Sequence, residues 1–264
     1  MDSGSRAAIG VVDMALTLRA VATCPMSESE LPMVILVHGA WHGAWCWSTL
    51  QAELDTRGVP SLAIDLPGHG VSLEPFGDLL SDAAHVSRVL AKIQRPIVLV
   101  GHSYGGAVIS QAASAATNVK HLVYMTAYVP DVGEGILPMS ANMPKARTSL
   151  GPAIVYGDDG LCTINPDLAA AAFYGRCSAN SIPANIARLC PQPVASFGQA
   201  VTGAAWNSIE STYIRCTDDE AIHISHQDHM AVRCTHVETL NTDHSPFTSM
   251  PGATADILER IARG

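Results

Sequence analysis

Positive charge is scarce in this chain. Across 264 residues there are 15 Lys and Arg against 24 Asp and Glu, a formal net charge of −9, and charged residues make up only 15% of the sequence. No basic cluster offsets that balance, which argues against nucleic acid or an anionic membrane as a partner. Long apolar runs are also missing: none approaches the roughly 20 residues of a membrane span. The seven cysteines, Cys24, Cys46, Cys162, Cys177, Cys190, Cys216 and Cys234, have no CxxC spacing. Their odd number speaks against a disulfide framework and for free thiols in a reducing compartment, so the expected location is cytoplasmic. Cys216 and Cys234 fall in apolar, strand-like runs and read as core. Repeats and low-complexity tracts are absent.

Apolar residues are what the chain has in abundance, at 48% of the total. That is enough to build one sizeable α/β core. Residues 1–32 contain the run AAIGVVDMALTLRAVA, with Arg6 before it and Ala20-Val21-Ala22 at its end, which imitates a secretory leader. Asp13 interrupts it and Arg19 charges its end, so it reads as a short N-terminal extension to a domain over 33–264. From Met33 strand-like and helical patterns alternate. Strand candidates are Met33 to Val37, Ser61 to Asp65, Ile97 to Val100, His121 to Met125, Thr212 to Cys216 and His236 to Leu240. Trp47, Leu50 and Leu54 share one helical face, as do Val86, Val89, Leu90 and Ile93. Such alternation predicts a mostly parallel sheet with helices on both faces. It breaks once, over about 131–207, which is rich in Pro and Gly and carries the polar turn Gly157-Asp158-Asp159-Gly160. A segment of that length predicts a small helical cap over the carboxyl edge of the sheet.

The stretch IVLVGHSYGGAVIS, Ile97 to Ser110, carries the chemistry. A buried strand runs into a helix through a corner occupied by Ser103. Gly101 and Gly105, two residues either side, fit the G-x-S-x-G nucleophile elbow, whose crowded backbone lifts the serine hydroxyl clear of the sheet. It also aims the amide of Tyr104 at the same space. None of the cysteines lies there, so no thiol nucleophile is indicated.

A serine hydroxyl is hardly ionised at neutral pH and needs a base, which in turn needs an acid to orient it. His244, in Asn241-Thr242-Asp243-His244-Ser245, follows the last strand candidate, where the base belongs in chains with this elbow. Other histidines are worse placed. His38 and His42 lie in the loop after the first strand, His69 in a turn, His85 on a helix, His102 inside the elbow, and His121 and His236 in strands. His223, His226 and His229, spaced by three, suggest a metal face, but without a cysteine or carboxylate pattern they read as solvated. Asp218 and Asp219, after the strand Tyr213 to Cys216, are both candidates for the acid. The glycine-rich loop His38-Gly39-Ala40-Trp41-His42-Gly43 offers the Ala40 amide as a second oxyanion donor.

The motifs HGAWHGAWCW, DLPGHG, GHSYGG, YIRCTDDEAI and DHSPF, in that order, resemble the small cofactor-free α/β hydrolases. These include plant methylesterases of the salicylate-binding type, bacterial pyrethroid-hydrolase-like esterases and the α/β-fold hydroxynitrile lyases. The resemblance runs from about Met33 to the C-terminus. It implies the α/β-hydrolase fold, with the cap inserted after the sixth strand. It also implies Ser103 as nucleophile, His244 as base, Asp219 rather than Asp218 as acid, and the Ala40 and Tyr104 amides as oxyanion hole.

No cofactor or metal is implied. The expected partner is a small ester or lactone with an apolar substituent, neither nucleic acid nor membrane, and a homodimer stays open. Gly39, Trp41, Tyr128, Leu137, Phe173, Trp206 and Ser245 are the expected substrate-binding residues. In the lyases, the resemblance places a threonine where this chain has Gly39 and a lysine where it has Ser245. Serine ester hydrolysis is therefore the expected function. Cyanohydrin cleavage, or ligand binding by a receptor of this fold with slow turnover, are the alternatives.

Overall fold

The computed structural model describes residues 31–264; the expected extension over residues 1–30 lies outside them. Four strands come first: β1 (Met33–Val37), β2 (Ser61–Ile64), β3 (Ile97–His102) and β4 (Val119–Met125). Between them lie α1 (Ser48–Thr56), α2 (Leu79–Leu90) and α3 (Tyr104–Ala112). The inserted segment holds α4 (Ile136–Ala141), α5 (Leu150–Ala153), β5 (Ile154–Tyr156), β6 (Leu161–Ile164), α6 (Pro166–Phe173), α7 (Ile182–Ile186), β7 (Gln192–Pro193) and α8 (Ala195–Gly198). The chain then finishes with β8 (Ser211–Cys216), α9 (Ile224–Ala231), β9 (His236–Leu240), α10 (Pro246–Ser249) and α11 (Pro251–Arg263).

The six main strands form one parallel sheet in the order β2-β1-β3-β4-β8-β9. Alternate side chains of each strand enter opposite cores, as a strand period of two requires. Ile35, Val37, Leu99, Leu122 and Tyr213 pack with α2, α3 and the insertion. Val34, Leu36, Val98, Val100, Val123 and Ile214 pack on the other face beneath α1 and α11. The apolar runs of β1 and β3 are thus the signature of strands buried on both faces. Helix α2 is started by a capping box in which Asp78 accepts from the Ser81 amide.

Three sequence expectations change. The insertion leaves the sheet after β4, the fourth of the described strands, not a sixth. It is also not purely helical: β5, β6 and β7 pair as a small antiparallel sheet, with the polar turn at 157–160 joining β5 to β6. Those strands are two to four residues long, too short for a periodic signal. Cys216 is buried in β8 as expected, whereas Cys234 lies between α9 and β9 and is only partly buried. No helix among the described residues is long and apolar enough to cross a membrane.

Candidate active site

Ser103 links β3 to α3 in a strained backbone conformation, φ 52° and ψ −119°. The flanking glycines are steric requirements: a Cβ on Gly101 would lie 2.5 Å from the Gly105 carbonyl oxygen, and one on Gly105 2.7 Å from the carbonyl oxygens of Val37 and His38. The Ser103 carbonyl accepts from the Gly106 and Tyr128 amides, both at 3.1 Å, which locks the corner. As the first residue of α3, Tyr104 has an amide with no acceptor inside its own helix.

The loop after β1 is pinned by its own histidines. The Gly39 carbonyl accepts from His38 Nδ1 at 2.8 Å and from the His42 amide at 3.3 Å. Because a peptide unit is planar and trans, the Ala40 N–H points in the opposite direction to that carbonyl. Trp41 takes a positive φ of 62° in the same turn. His42 donates from Nδ1 to the Ala40 carbonyl at 2.8 Å, and its Nε2 accepts the Tyr174 hydroxyl at 2.8 Å. Burial drives the His42 imidazole down to about 4, so it is neutral near pH 7.

Asp219 and His244 meet in the interior. Asp219 Oδ2 accepts from His244 Nδ1 at 2.7 Å, with both side chains almost wholly buried. Its Oδ1 accepts the Ala221 and Ile222 amides at 2.6 and 2.8 Å, and Thr126 donates its hydroxyl to Oδ2. Asp218 is elsewhere, in an exposed pair with Arg176. His244 is tied to the elbow by its neighbour: His102 Nε2 donates to the His244 carbonyl at 2.8 Å, with the two rings 4.5 Å apart. The loop carrying His244 is held by Asp243, which accepts from the amides of Arg176 and Ser245 and from the Ser249 hydroxyl.

The expected substrate-binding residues divide. Phe173 stands beside the histidine, its ring 5.7 Å from that of His244. Trp41 packs between Phe173 and Phe197 and donates its indole N–H to the Cys162 carbonyl at 3.1 Å, fastening the insertion to the loop after β1. Tyr128 touches the elbow through its amide. Ser245 is buried next to His244 with an unpartnered hydroxyl. Two others stand apart from this group. Leu137 is 52% exposed on α4 and is not the wall of a buried pocket. Trp206 donates to the Pro130 carbonyl at 2.9 Å and stacks under Arg233, so it joins the two ends of the insertion. Both had the right polarity in the right segment, which is all that composition reveals.

Gly39 is a close-contact position, not open space for a substrate. A Cβ there would lie 2.8 Å from His102 Nδ1 and 3.0 Å from Ser103 Cβ. Gly39→Ala is expected to destabilise the fold by about 1–3 kcal/mol through overpacking, measured by denaturant titration. Unchanged stability would mean the elbow yields freely.

Sequence reasoning missed Thr126 and Gln227. Thr126 sits at the end of β4 with a positive φ of 36°, and Gln227 on α9 donates to the carbonyls of Cys216 and Ile222 around the Asp219 turn. Two of the three spaced histidines have other duties: His223 caps α9 by accepting from the Ser225 amide, and His226 donates to the Pro144 carbonyl at 2.7 Å.

A parallel sheet covered on both faces, with a strained serine on a strand-to-helix elbow and a histidine–carboxylate pair beside it, defines a class of α/β enzyme folds. The chain belongs to the alpha/beta hydrolase family, whose model matches residues 34–257. It is 37% identical over 117 residues to the carbendazim hydrolyzing esterase of Nocardioides sp. (strain SG-4G), a match covering 42% of this chain and 47% of that protein. Methylesterase 1 of Arabidopsis thaliana is 26% identical over 260 residues, covering 90% of this chain and 98% of the relative. The crystal structure of a pyrethroid hydrolase from Sphingobium faniae JZ-2 superposes with a TM-score of 0.78 at 25% identity, covering 88% of this chain and 98% of the other. The chain thus spans about half of the first relative and nearly all of the other two.

Proposed function

We propose that this chain hydrolyses a carboxylic ester or lactone with an apolar substituent, using Ser103 as nucleophile, His244 as general base and Asp219 as the orienting acid. The observation that carries this reading is the buried Asp219–His244 contact at 2.7 Å, tied to the elbow of the strained Ser103 by the hydrogen bond from His102 to the His244 carbonyl. With Nδ1 engaged by the carboxylate, His244 is left with Nε2 to take the Ser103 proton as its oxygen attacks the carbonyl carbon. The oxyanion that forms is met by the amides of Ala40 and Tyr104. His244 then protonates the departing alcohol, and water activated by the same nitrogen releases the acid from the acyl-enzyme. The esterases among the relatives support ester hydrolysis. The apolar surroundings, Phe173 and Trp41 above all, favour an apolar acyl or alcohol group over a sugar or phosphate ester.

Cyanohydrin cleavage is the weaker reading. The position after the base is Ser245, buried and uncharged, so departing cyanide would meet no compensating positive charge there. A neutral alcohol protonated by His244 needs none. Labelling by a fluorophosphonate, with p-nitrophenyl ester and mandelonitrile assayed side by side, tests the proposal. Labelling and faster release of nitrophenol are expected. Faster release of cyanide would reverse the assignment, and labelling without turnover of methyl, aryl or lactone esters would favour a receptor.

A further inference from the structure

Tyr104 reaches well beyond its amide. Its side chain is 1% exposed and its hydroxyl donates to Oδ2 of Asp82 at 2.6 Å. Asp82 lies on the inner face of α2, 2% exposed, and its second oxygen, Oδ1, has no hydrogen-bond partner. The insertion closes this pocket through α8. There the buried Ser196 hydroxyl faces the Tyr104 phenol without a well-formed hydrogen bond, and the Phe197 ring packs edge-on against Tyr104 at 5.9 Å. Just past α8, Gln199 accepts from the Leu80 amide at 3.1 Å and donates to Asp78 at 3.0 Å, stitching the insertion to the start of α2. Three elements therefore converge on one carboxyl group.

We infer that Asp82 is a positioning residue for the elbow: it holds the Tyr104 phenol, and with it the first turn of α3, against α2 and the insertion. This rests on the reading of Ser103 as nucleophile and the Tyr104 amide as oxyanion donor. A buried carboxylate needs several donors to be tolerated, and Asp82 has one. Among the described residues no cation offsets it. From α2 the neighbouring charge is Asp78, of the same sign; from α3 comes Tyr104 and from the α8 segment Ser196 and Gln199, all neutral at pH 7. Burial, opposed by the Tyr104 hydrogen bond and reinforced by Asp78, pushes the Asp82 carboxyl up to about 7. Ionisation demands water, and Asp82 and Tyr104 are both almost wholly buried between α2, α3 and α8. Admitting it moves Tyr104, and a shift of about an ångström in a catalytic donor costs up to about 100-fold in rate.

The sign follows from linkage. Folded Asp82 keeps its proton to about pH 7, whereas an unfolded aspartate loses it near 3.8. The stabilisation from this group is complete below the lower value, falls as pH rises to the higher one, and is flat above. Asp82→Asn keeps the shape, still accepts from Tyr104 and cannot ionise. Its Tm advantage over the parent is expected to widen by about 5 °C or more between pH 4 and pH 8. The ratio of its fluorophosphonate labelling rate, and of its kcat, to the parent's is expected to rise up to about 10-fold between pH 6 and pH 8, with KM little changed. In Tyr104→Phe, which strips Asp82 of its one donor, the fall in Tm should move to higher pH.

A Tm gap that stays constant with pH overturns the inference. So does a widening gap with parallel labelling and kcat profiles, which would make Asp82 a structural group alone. The Tm arm needs no substrate and the labelling arm needs no ester, so absence of esterase activity counts against the proposed function and not against Asp82.

Discussion

Ser103→Ala is expected to lower ester hydrolysis by about 10⁴-fold or more, with the folded protein intact. The size follows from chemistry: without the hydroxyl there is no acyl-enzyme, and the His244–Asp219 pair has nothing to deprotonate but water. The intact fold follows from packing. Ser103 sits at the surface of the site, 9% exposed, and among the described residues its hydroxyl makes no hydrogen bond that the fold relies on. The elbow is held instead by main-chain contacts, the Ser103 carbonyl accepting from Gly106 and Tyr128, and alanine keeps both. The strain at φ 52° is shared by serine and alanine, so the substitution does not release it. The check is kcat/KM of the purified variant together with its Tm. Retention of more than a few per cent of activity would remove Ser103 from the mechanism.

Three buried histidines crowd this site, and their states, assigned from hydrogen-bond partners, favour the proposed role of His244 as the base. His38 donates from Nδ1 to the Gly39 carbonyl and accepts the Leu66 amide on Nε2 at 3.1 Å. His42 donates from Nδ1 and accepts from Tyr174 on Nε2. His102 donates from Nε2 to the His244 carbonyl. Each ring is fixed as one neutral tautomer, and burial holds all three below the usual imidazole range. Neutrality matters here. A charged neighbour would oppose the positive charge that His244 acquires when it takes the serine proton.

The parts legible in the sequence are those written locally. Ile97–Val100 followed by Gly101-His102-Ser103-Tyr104-Gly105 specifies a doubly buried strand, a crowded turn and a helix within nine residues. The position of His244 after the last strand was legible from chain order, and its contact with Asp219 is what the structure adds. The support around them was not. Thr126 reaches Asp219 across 93 residues of chain, and nothing near Thr126 announces it. Asp82 sits among Ala83, Val86 and Leu90 on a helix whose apolar spacing is satisfied without it, so an inward carboxyl breaks the pattern silently. The surroundings of Leu137 and Trp206 were hidden for the complementary reason: a position inside the insertion does not say which way a side chain points. The cap strands gave no signal because a strand of two to four residues is too short to show a period.

Asp219→Asn is expected to lower turnover by about 10⁴-fold, while Asp218→Asn changes it by less than about two-fold. The argument lies in which oxygen does what. Asp219 Oδ1 accepts two main-chain amides, from Ala221 and Ile222, so in the variant the asparagine oxygen stays there. The amide nitrogen must then replace Oδ2, where it faces three donors, the Thr126 hydroxyl, the more distant Gln227 amide at 3.5 Å and His244 Nδ1–H. Threonine can rotate its proton away. The imidazole can relieve the clash only by moving its proton to Nε2, and a protonated Nε2 cannot accept one from Ser103. The fold survives, because the two amide contacts that shape the turn are kept, but the base is held in the wrong tautomer. Asp218 has no such position: its carboxylate meets the Arg176 side chain, which is 57% exposed, in solvent-screened surroundings. Measuring kcat and its pH profile for both variants decides the matter. A large loss in Asp218→Asn with little change in Asp219→Asn would move the acid one residue towards the N-terminus, and equal small losses would mean that His244 works without a carboxylate.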